Sequence, residues 1–546
     1  MAVSANTRTI LIESILGGHA PMSHFAAPDQ FRASIGIDPS LPANDSNDAT
    51  NIDGTAFVAS GLLRPTSYVE SFATAGHVRW IISPPDKRSG ITDEYYVYDE
   101  AGSVYSILSS GEQGTVTGDL NDGGTAQGNG AAYYDNYVYF ARDTTIARLG
   151  PLTTSPTLTD DYWSGTLGLT PLQEILTLFS GQTELATHFL HRHSDGRLYI
   201  ADFVDGKGTI HYIKTTKTTV EGDTNDGTTY NALQVGYGLF PVAMESYGAD
   251  LVIAFVESES SGSIAPRAKI AFWDTTSQNI NKITWVEFPD SVITGMKNVN
   301  GVLHIVSGPL GTSFNSGFRV TRFVGGYSFE EVSYIESGDS CAPGALDGRG
   351  DRLIFGTRTV VPYLGGGGTG VGCVYSLGLS KRSVSSGLFN IVGSTNSNSV
   401  VTALALKSNS PLRNDLPIVG IKKVATNTGA ILVPTTTAYN NSALSVWWSQ
   451  VYRVGHPFKI TKIRIPLAQT VSGAMQVNPT IFTDDGEGGK ALDPISVDTF
   501  NGKRNAVYRP DGLTGEHNFW VELRWMGASL CTIGLPITIE YEPVDD

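Results

Sequence analysis

Short apolar strands, each led in by a turn of Asp, Asn or Gly, recur along this chain from residue 61 to about 400. They start about 50–60 residues apart, which leaves room for four short strands per unit. Such units bury their faces only against one another, so the pattern predicts an all-β fold with a β-propeller of six or seven blades. The six clearest strands, predicted as the first of each unit, are His77–Ser83, Asn136–Ala141, Arg197–Ala201, Asp250–Phe255, Gly301–Ser307 and Asp351–Gly356. A seventh unit is predicted at Ser399–Leu406, closed with a strand from the N-terminal region.

A short block occurs twice, as GTVTGDLNDGGT at residues 114–125 and as TTVEGDTNDGTT at residues 218–229. The offset between the copies is close to two units and so agrees with a repeating architecture. Oxygen side chains of the kind that bind calcium cluster in both copies, namely Asp119, Asn121 and Asp122, and Asp223, Asn225 and Asp226. The spacing does not fit the common calcium loop, and Asp/Asn-Gly also makes tight turns without metal. The blocks predict turns, with calcium binding as the open alternative.

The regions on either side of the predicted propeller (residues 61–410) differ from it. Residues 1–60 carry glycines, prolines and the polar run 44–48, which predicts an extended arm packed on its own domain or on a neighbouring subunit. Residues 401–546 hold 13 Lys/Arg and 13 Asp/Glu, so the whole net charge of −16 lies in residues 1–400. This step in charge supports a domain boundary near residue 400.

Residues 411–546 show apolar side chains at every second position. The series are Phe519, Val521, Leu523 and Trp525, and then Cys531, Ile533, Leu535, Ile537, Ile539 and Tyr541. This period is typical of strands with one buried face. The parity changes within 458–467, which predicts a β-bulge at Thr461 or Lys462. About eight strands in this segment predict a two-sheet β-sandwich of jelly-roll type.

Composition narrows the classes of partner. A net charge of −16 disfavours general binding to nucleic acid or to anionic membranes.

Three cysteines, Cys341, Cys373 and Cys531, do not make a disulfide framework, and buried thiols are favoured over a Cys341–Cys373 pair. We expect no membrane span and no secretion signal, and hence synthesis in a cytoplasm. The only helix predicted is at residues 170–178.

Several motifs hint at chemistry, but each has a more ordinary explanation. His188, His191 and His193 precede a strand, where His191 and His193 would share a face and pair on a metal; structural histidines are the favoured interpretation. Gly365–Gly368 with Gly370 lacks the Lys-Ser/Thr pair of a phosphate loop. Trp163, Trp447 and Trp448 are candidates for stacking on sugars, although core packing is commoner. No catalytic, cofactor-binding or metal-ligating residue is therefore assigned.

The first 65 residues hold the apolar segment Ile10–Leu16, then Gly17–Gly18 and Pro21, and later the stretch Gly61-Leu62-Leu63-Arg64-Pro65. In this layout the chain resembles the tail nozzle proteins of short-tailed bacteriophages, which enter a β-propeller at the corresponding stretch. The stretch Tyr95–Ile107 is also similar to a blade hairpin of that family. Apart from this hairpin, the resemblance ends at Pro65. It implies a virion protein that assembles as a ring, without catalytic residues or cofactors.

On these grounds we expect a structural virion protein of a phage tail or appendage. It would act by assembly with itself and with other virion proteins, and by docking to a partner or host surface, with a surface glycan as one possible target and no sequence-specific nucleic acid. Two alternatives stay open: a carbohydrate-binding or carbohydrate-active propeller, and a cell-surface adhesion protein.

Overall fold

The structure is a computed structural model. It describes residues 7–13, 18–19, 30–35, 68–85, 91–120, 130–153, 155–163, 169–171, 187–214, 228–258, 264–277, 282–290, 292–308, 318–335, 341–349, 352–357, 373–377, 385–390, 399–407, 416–423, 426–434, 445–468, 470–471, 475–484, 489–527 and 532–544.

The described chain is nearly all strand, with one four-residue helix, α1 (Val497–Phe500). The strands are β1 (Arg8–Ile12), β2 (Gly18–His19), β3 (Gln30–Ile35), β4 (Tyr68–Thr74), β5 (Val78–Ile82), β6 (Asp93–Asp99), β7 (Ser103–Leu108), β8 (Gln113–Asp119), β9 (Gly130–Tyr134), β10 (Tyr137–Ala141), β11 (Ile146–Gly150), β12 (Thr157–Trp163), β13 (Leu190–Arg192), β14 (Leu198–Val204), β15 (Lys207–Ile213), β16 (Thr228–Tyr237), β17 (Leu239–Tyr247), β18 (Asp250–Ser258), β19 (Ile264–Trp273), β20 (Thr284–Phe288), β21 (Val292–Val299), β22 (Val302–Gly308), β23 (Phe318–Gly325), β24 (Ser328–Ile335), β25 (Leu346–Arg349), β26 (Arg352–Gly356), β27 (Cys373–Leu377), β28 (Ser385–Asn390), β29 (Ser399–Ala405), β30 (Ile418–Lys423), β31 (Thr428–Pro434), β32 (Ser445–Ser449), β33 (Tyr452–Arg453), β34 (Phe458–Pro466), β35 (Met475–Thr483), β36 (Gly489–Ala491), β37 (Ile495–Ser496), β38 (Asn505–Tyr508), β39 (Thr514–Gly515), β40 (Asn518–Gly527) and β41 (Ile537–Pro543).

The chain divides into two compact units. The repeat unit comprises Glu70–Gly372 and Asn398–Val433, and the terminal unit comprises Met1–Val69, Cys373–Ser397 and Pro434–Asp546. The boundaries predicted at residues 60/61 and 410/411 stay predictions. Beyond residue 410, β30 pairs with β29 and β31 pairs with β30 in a sheet of the repeat type.

Among the described strands, seven four-stranded sheets follow one another along the chain, and we number them in that order. Sheets 1 to 6 are β5–β8, β9–β12, β13–β16, β17–β20, β21–β24 and β25–β28, and sheet 7 is β29–β30–β31–β4. Hairpin connections make neighbouring strands antiparallel, as in β17–β18–β19–β20. Within each of the first six sheets the spatial order equals the chain order, which is the simplest way to bury both faces of a short sheet against its neighbours.

The first strands of these sheets contact one another in a closed cycle. β5 contacts β9, β9 contacts β13, and the series continues through β17, β21 and β25 to β29, which contacts β5 again. Apolar clusters fill the spaces between successive sheets; one of them joins Val78, Val97 and Ile431 across sheets 1 and 7. This arrangement is that of a β-propeller.

Strand β4 comes from near the N-terminus and completes sheet 7, whose other strands begin only at Ser399. An ion pair supports the closure, with the Lys423 ammonium 2.9 and 3.0 Å from the two carboxylate oxygens of Glu70. The sequence predicts a seventh unit at Ser399–Leu406 that is closed with a strand from the N-terminal region, and β4 lies at the far edge of that sheet, next to β31.

Most strands predicted to open each unit are in fact the second strand of a sheet. Asn136–Ala141, Arg197–Ala201, Asp250–Phe255, Gly301–Ser307 and Asp351–Gly356 match β10, β14, β18, β22 and β26, whereas His77–Ser83 matches a true first strand, β5. The first strands were missed because several of them mix polar residues with few apolar ones, as in β13 (LHR) and β25 (LDGR), whereas the second strands hold longer apolar runs.

The terminal unit holds two larger sheets. One has the order β1–β41–β34–β38, with β39 beside β34, and the other has β2–β3–β32–β40–β35–β36, with β33 and β37 at its sides. Both sheets contribute to one apolar core, which includes Phe458, Ile463 and Ile539 from the first and Val521 and Leu523 from the second. The N-terminal strands β1 and β3 thus pair with strands from the end of the same chain.

The predicted alternation in this unit is confirmed. Phe519, Val521, Leu523 and Trp525 of β40 are all buried, as are Ile537, Ile539 and Tyr541 of β41. The predicted β-bulge is also confirmed, because Ile460 pairs with Tyr541 while Lys462 pairs with Glu540, which leaves Thr461 as the extra residue.

The described parts of the two copies of the short block both touch a fourth strand. The first copy overlaps β8 of sheet 1, and the last two residues of the second copy, Thr228 and Thr229, begin β16 of sheet 3. The rest of the second copy lies outside the described residues. The predicted helix at residues 170–178 lies outside the described residues apart from Thr170 and Pro171.

Candidate functional site

A cavity of about 410 Å³ lies in the middle of the ring of first strands in the repeat unit. All seven sheets contribute to its lining through β5, β9, β13, β17, β21, β25 and β29. Its volume falls in the range of small-molecule sites, about 300–1,000 Å³. The cavity is therefore the candidate site that the ring itself creates.

One side of the cavity carries charged groups from consecutive sheets. The Lys297 ammonium of β21 lies 3.2 Å from a carboxylate oxygen of Asp347 in β25. Asp347 also accepts backbone N–H groups from Gly348 at 2.8 Å and from Leu406 at 2.9 Å. The negative charge of Asp347, and after it that of Glu245, raises the pKa of Lys297 to about 12 despite burial. Lys297 is therefore a fixed positive charge in this wall.

Glu245 of β17 stands next to Lys297 in the ring order. Burial raises the pKa of this carboxyl, and the charge of Lys297 and the backbone N–H of Ser246 oppose the rise. The Ser246 N–H lies 2.9 Å from Glu245 Oε1. The other neighbour, His191 of β13, has its Nε2 3.9 Å from the same oxygen.

His191 and His193 converge on the Ser246 hydroxyl. Both His191 Nε2 and His193 Nδ1 lie 2.8 Å from Ser246 Oγ, and His193 Nε2 lies 3.2 Å from the carbonyl oxygen of Ala249. A carbonyl oxygen only accepts, so with one proton on each ring His193 donates from Nε2 and accepts the Ser246 proton at Nδ1. Ser246 Oγ then accepts the N–H of His191 Nε2, which leaves His191 Nδ1 as an acceptor on a residue that lines the cavity.

We expect the free energy of unfolding to depend on pH through the buried imidazole of His191. Burial, together with the charges of Lys297 and His193, lowers the pKa of His191 from 6.5 to about 3. Between these two values the unfolded chain binds a proton that the folded chain does not, so stability is lost as the pH falls. Relative to His191→Gln, we expect the wild type to lose about 2 kcal/mol more between pH 8 and pH 4.5.

Urea unfolding of both proteins at pH 8, 6, 5 and 4.5 checks this prediction. The pH 8 difference reports only the contacts of His191, because the imidazole is neutral in both states there. Parallel stability curves for the two proteins would contradict the prediction.

The third predicted histidine, His188, belongs to another network. Its two ring nitrogens lie 3.3 Å from the carbonyl oxygens of Ala201 and Asp143, and Nδ1 is 3.7 Å from a carboxylate oxygen of Asp202. Burial acts to raise the pKa of Asp202, but the hydrogen bond from His211 and the charge of His188 hold that pKa below its usual value. All three side chains are buried, so this cluster supports the fold of sheet 3 and presents nothing to a ligand.

The other side of the cavity is apolar. Trp80 of β5 and Phe189 pack edge to face with ring centres 5.9 Å apart, and both are half-buried. Ile82, Ala132 and Leu404 continue this wall in sheets 1, 2 and 7. The cavity therefore has two unlike halves, one charged and one aromatic and aliphatic.

None of the other site residues considered from the sequence is among the described residues that line the central cavity. Trp447 and Trp448 are buried, and Trp448 Nε1 donates to Glu522 at 2.6 Å, so neither is a sugar platform. Asp119 is exposed in β8. Cys341 is a buried free thiol. The side chains of Trp163 and Cys373, together with Cys531, Asn121, Asp122, Asp223, Asn225, Asp226, Gly365–Gly368 and Gly370, lie outside the described residues.

In the part of the chain that the structure describes, no group of three or more His, Cys, Asp or Glu side chains is arranged to hold a metal ion. Nor does any helix there have the length and apolar content that crossing a bilayer requires.

Sequence analysis missed Glu245, Lys297 and Asp347, although a signal for them exists. Each lies six residues before the first buried residue of the next strand, which is Leu251, Leu303 or Leu353. Counting back six residues from these leucines would therefore have shown that the three charged residues occupy equivalent positions in successive sheets.

No protein family and no curated protein sequence matches this chain. Among solved structures, the chain is similar to a catalytically inactive virginiamycin B lyase from Staphylococcus aureus with quinupristin (TM-score 0.41, 11% identity, covering 68% of this chain and 99% of the other). It is also similar to the WD40 repeats of RRP9 (TM-score 0.40, 10% identity, 68% and 100% covered). A third is YCF48 bound to D1 peptide (TM-score 0.39, 12% identity, 73% and 100% covered). At these scores the similarities carry no inference about function.

Proposed function

We propose that this chain is a structural virion protein of a phage tail or appendage, which acts by assembling with copies of itself and by docking to a partner or host surface. The N-terminal resemblance to tail nozzle proteins motivates the proposal. The rigid scaffold of paired sheets is compatible with it, because such a scaffold can present docking surfaces without itself changing shape.

The proposal includes a finer description of the fold. We take the seven sheets as the blades of a seven-bladed propeller in which β4 closes the last blade. We take the two sheets of the terminal unit as a β-sandwich of jelly-roll type, with N-terminal strands built into it. The closed cycle of first strands and the shared apolar core support these assignments.

Two open sheet edges carry the assembly argument. The sheet β1–β41–β34–β38 ends in β1 on one side and β38 on the other, and neither has a second strand partner among the described strands. Each edge strand exposes an apolar side chain: Leu11 is 45% exposed and Val507 is 40% exposed. Open edges of this kind are templates for pairing with another chain.

The two edges fit each other. Consecutive strands in this order run antiparallel, so β1 of a second copy would continue the alternation beside β38. Side chains of one face must stay together. We place inward Ile10 and Ile12 opposite inward Tyr508 and Ala506, a register that satisfies this condition. In that register Leu11 falls opposite Val507 on the outer face. Because the two surfaces differ, the contact is head-to-tail and generates a ring where the rotation closes.

Light scattering and electron microscopy of the purified full chain test this assembly. We expect rings for the wild type and monomers for Val507→Lys, because an edge lysine blocks strand pairing. Val324→Lys is the matched control, since Val324 of β23 is 54% exposed but lies on neither edge. A monomeric wild type, or rings that persist in Val507→Lys, would contradict the proposal.

The virion assignment needs its own measurement. We expect the chain in purified particles, where immunogold labelling would mark a tail or appendage. Labelling on uninfected cells instead would favour the adhesion alternative.

A further inference from the structure

The two halves of the central cavity come from different sets of sheets. Sheets 3 to 6 supply His191, Glu245, Lys297 and Asp347, one from each successive first strand, together with apolar neighbours such as Met244 and Met296. Sheets 7, 1 and 2 supply only apolar lining from their first strands. A ligand that fills this space therefore meets charged groups on one side and apolar side chains on the other.

The polar half mixes donors with acceptors. Lys297 donates, the two carboxylates accept, and the hydrogen-bond chain through Ser246 leaves His191 Nδ1 as a further acceptor. Hydroxyl groups suit such a wall because each can donate to a carboxylate and accept from an ammonium. Two carboxylates against one ammonium disfavour an anionic ligand.

Trp80 of sheet 1 supplies an aromatic ring to the apolar side. Phe189, which directly precedes β13 of sheet 3, meets it edge to face with ring centres 5.9 Å apart, and both side chains line the cavity. Aromatic rings pack well against the C–H face of a ring whose hydroxyls point outward at its rim. A volume of about 410 Å³ has room for one such ring and a few water molecules.

We propose that this cavity is a binding site for one neutral sugar residue, with its hydroxyl groups on Glu245, Lys297 and Asp347 and its C–H face on Trp80. The site is a property of the repeat unit alone and does not depend on ring assembly. It requires no covalent step.

Isothermal titration calorimetry of the full chain tests the site. The probes are the methyl glycosides of glucose, galactose, mannose and N-acetylglucosamine, each up to 20 mM, with glucuronate and indole as an anionic and a purely apolar comparison. We expect saturable one-to-one binding of at least one neutral glycoside. Competition by the corresponding polysaccharide separates a chain-end sugar from a free one, and both results support the proposal.

Lys297→Met and Trp80→Leu should each weaken binding by about 10- to 100-fold, because each removes one half of the recognition. Lys269→Met and Trp285→Leu are the matched controls and should bind as the wild type does. Lys269 is a similarly exposed lysine paired with Glu257 at 3.0 Å, and Trp285 is a half-buried tryptophan against Phe255; neither lines the cavity. Glu245→Gln preserves shape and should also weaken binding, which keeps the test valid if Trp80→Leu does not fold.

The absence of binding by all four glycosides would overturn the proposal, as would binding of glucuronate or indole alone. Sugar binding that is unchanged in both Lys297→Met and Glu245→Gln would overturn it as well, because the sugar would then lie elsewhere.

Discussion

Replacing Asp202 by alanine should destabilise the repeat unit by about 3–5 kcal/mol, a large part of the roughly 5–15 kcal/mol that holds a typical domain folded. The carboxylate is fully buried in β14 and accepts the backbone N–H groups of Phe203 at 2.7 Å and Thr170 at 3.1 Å. It also accepts from His211 Nε2 at 3.3 Å and faces His188. Alanine leaves the buried ring of His211 and two partly buried N–H groups without this acceptor, which costs more than the hydrogen bonds themselves contribute.

Urea unfolding monitored by tryptophan fluorescence measures the loss, with Asp274→Ala as the matched control. Asp274 also accepts two backbone N–H groups, from Thr276 at 3.0 Å and Ser277 at 2.8 Å, but it is exposed. Water can replace an exposed acceptor, so the control should cost about 1 kcal/mol or less. Similar losses in the two variants would show that burial of the Asp202 network contributes nothing.

Replacing Gly420 by valine should cost about 3 kcal/mol, because it overfills the seam where the ring closes. Gly420 lies in β30 of sheet 7, and a Cβ atom there would stand 2.5 Å from Cγ1 of Val78 in β5 of sheet 1. No atom fits at that distance, so the two sheets must separate or distort. The first and last sheets touch at this point only if the ring is closed.

A double-mutant cycle with Val78→Ala distinguishes the seam from a local effect. Val78→Ala alone should lower the free energy of unfolding by about 2 kcal/mol, because it leaves a cavity. The double variant should lose at least about 1 kcal/mol less than the two single variants lose together. Gly236→Val is the control, since the nearest atom to a Cβ at Gly236 in β16 is 3.9 Å away. This control should change stability by about 0.5 kcal/mol or less. Strictly additive costs for Gly420→Val and Val78→Ala would mean that sheets 7 and 1 do not pack together.

The sequence predicted those features that depend on neighbouring residues. The bulge at Thr461 was visible because one extra residue reverses the parity of every apolar position after it. The shared face of His191 and His193 followed from the two-residue period of an extended chain, and both do reach Ser246. In place of a metal, the group that joins them is a hydroxyl from the next sheet along the chain.

Features that depend on ring closure were not visible in the sequence. Glu245, Lys297 and Asp347 each precede a turn, where a charged residue ordinarily faces solvent. They become neighbours only because successive sheets repeat the same geometry around one axis. Trp80 and Phe189 are likewise far apart in the chain. Their rings come into contact only because both residues face the central cavity.

The origin of β4 sets the order of events during synthesis. This strand emerges from the ribosome before any of the seven sheets is complete, and its partners in β29–β31 begin only at Ser399. At roughly 5–20 residues per second the ribosome needs about 15–65 s to reach them. Throughout that interval β4 has no place in a finished sheet, so the nascent protein must keep an adhesive strand unpaired until β29–β31 have been synthesised.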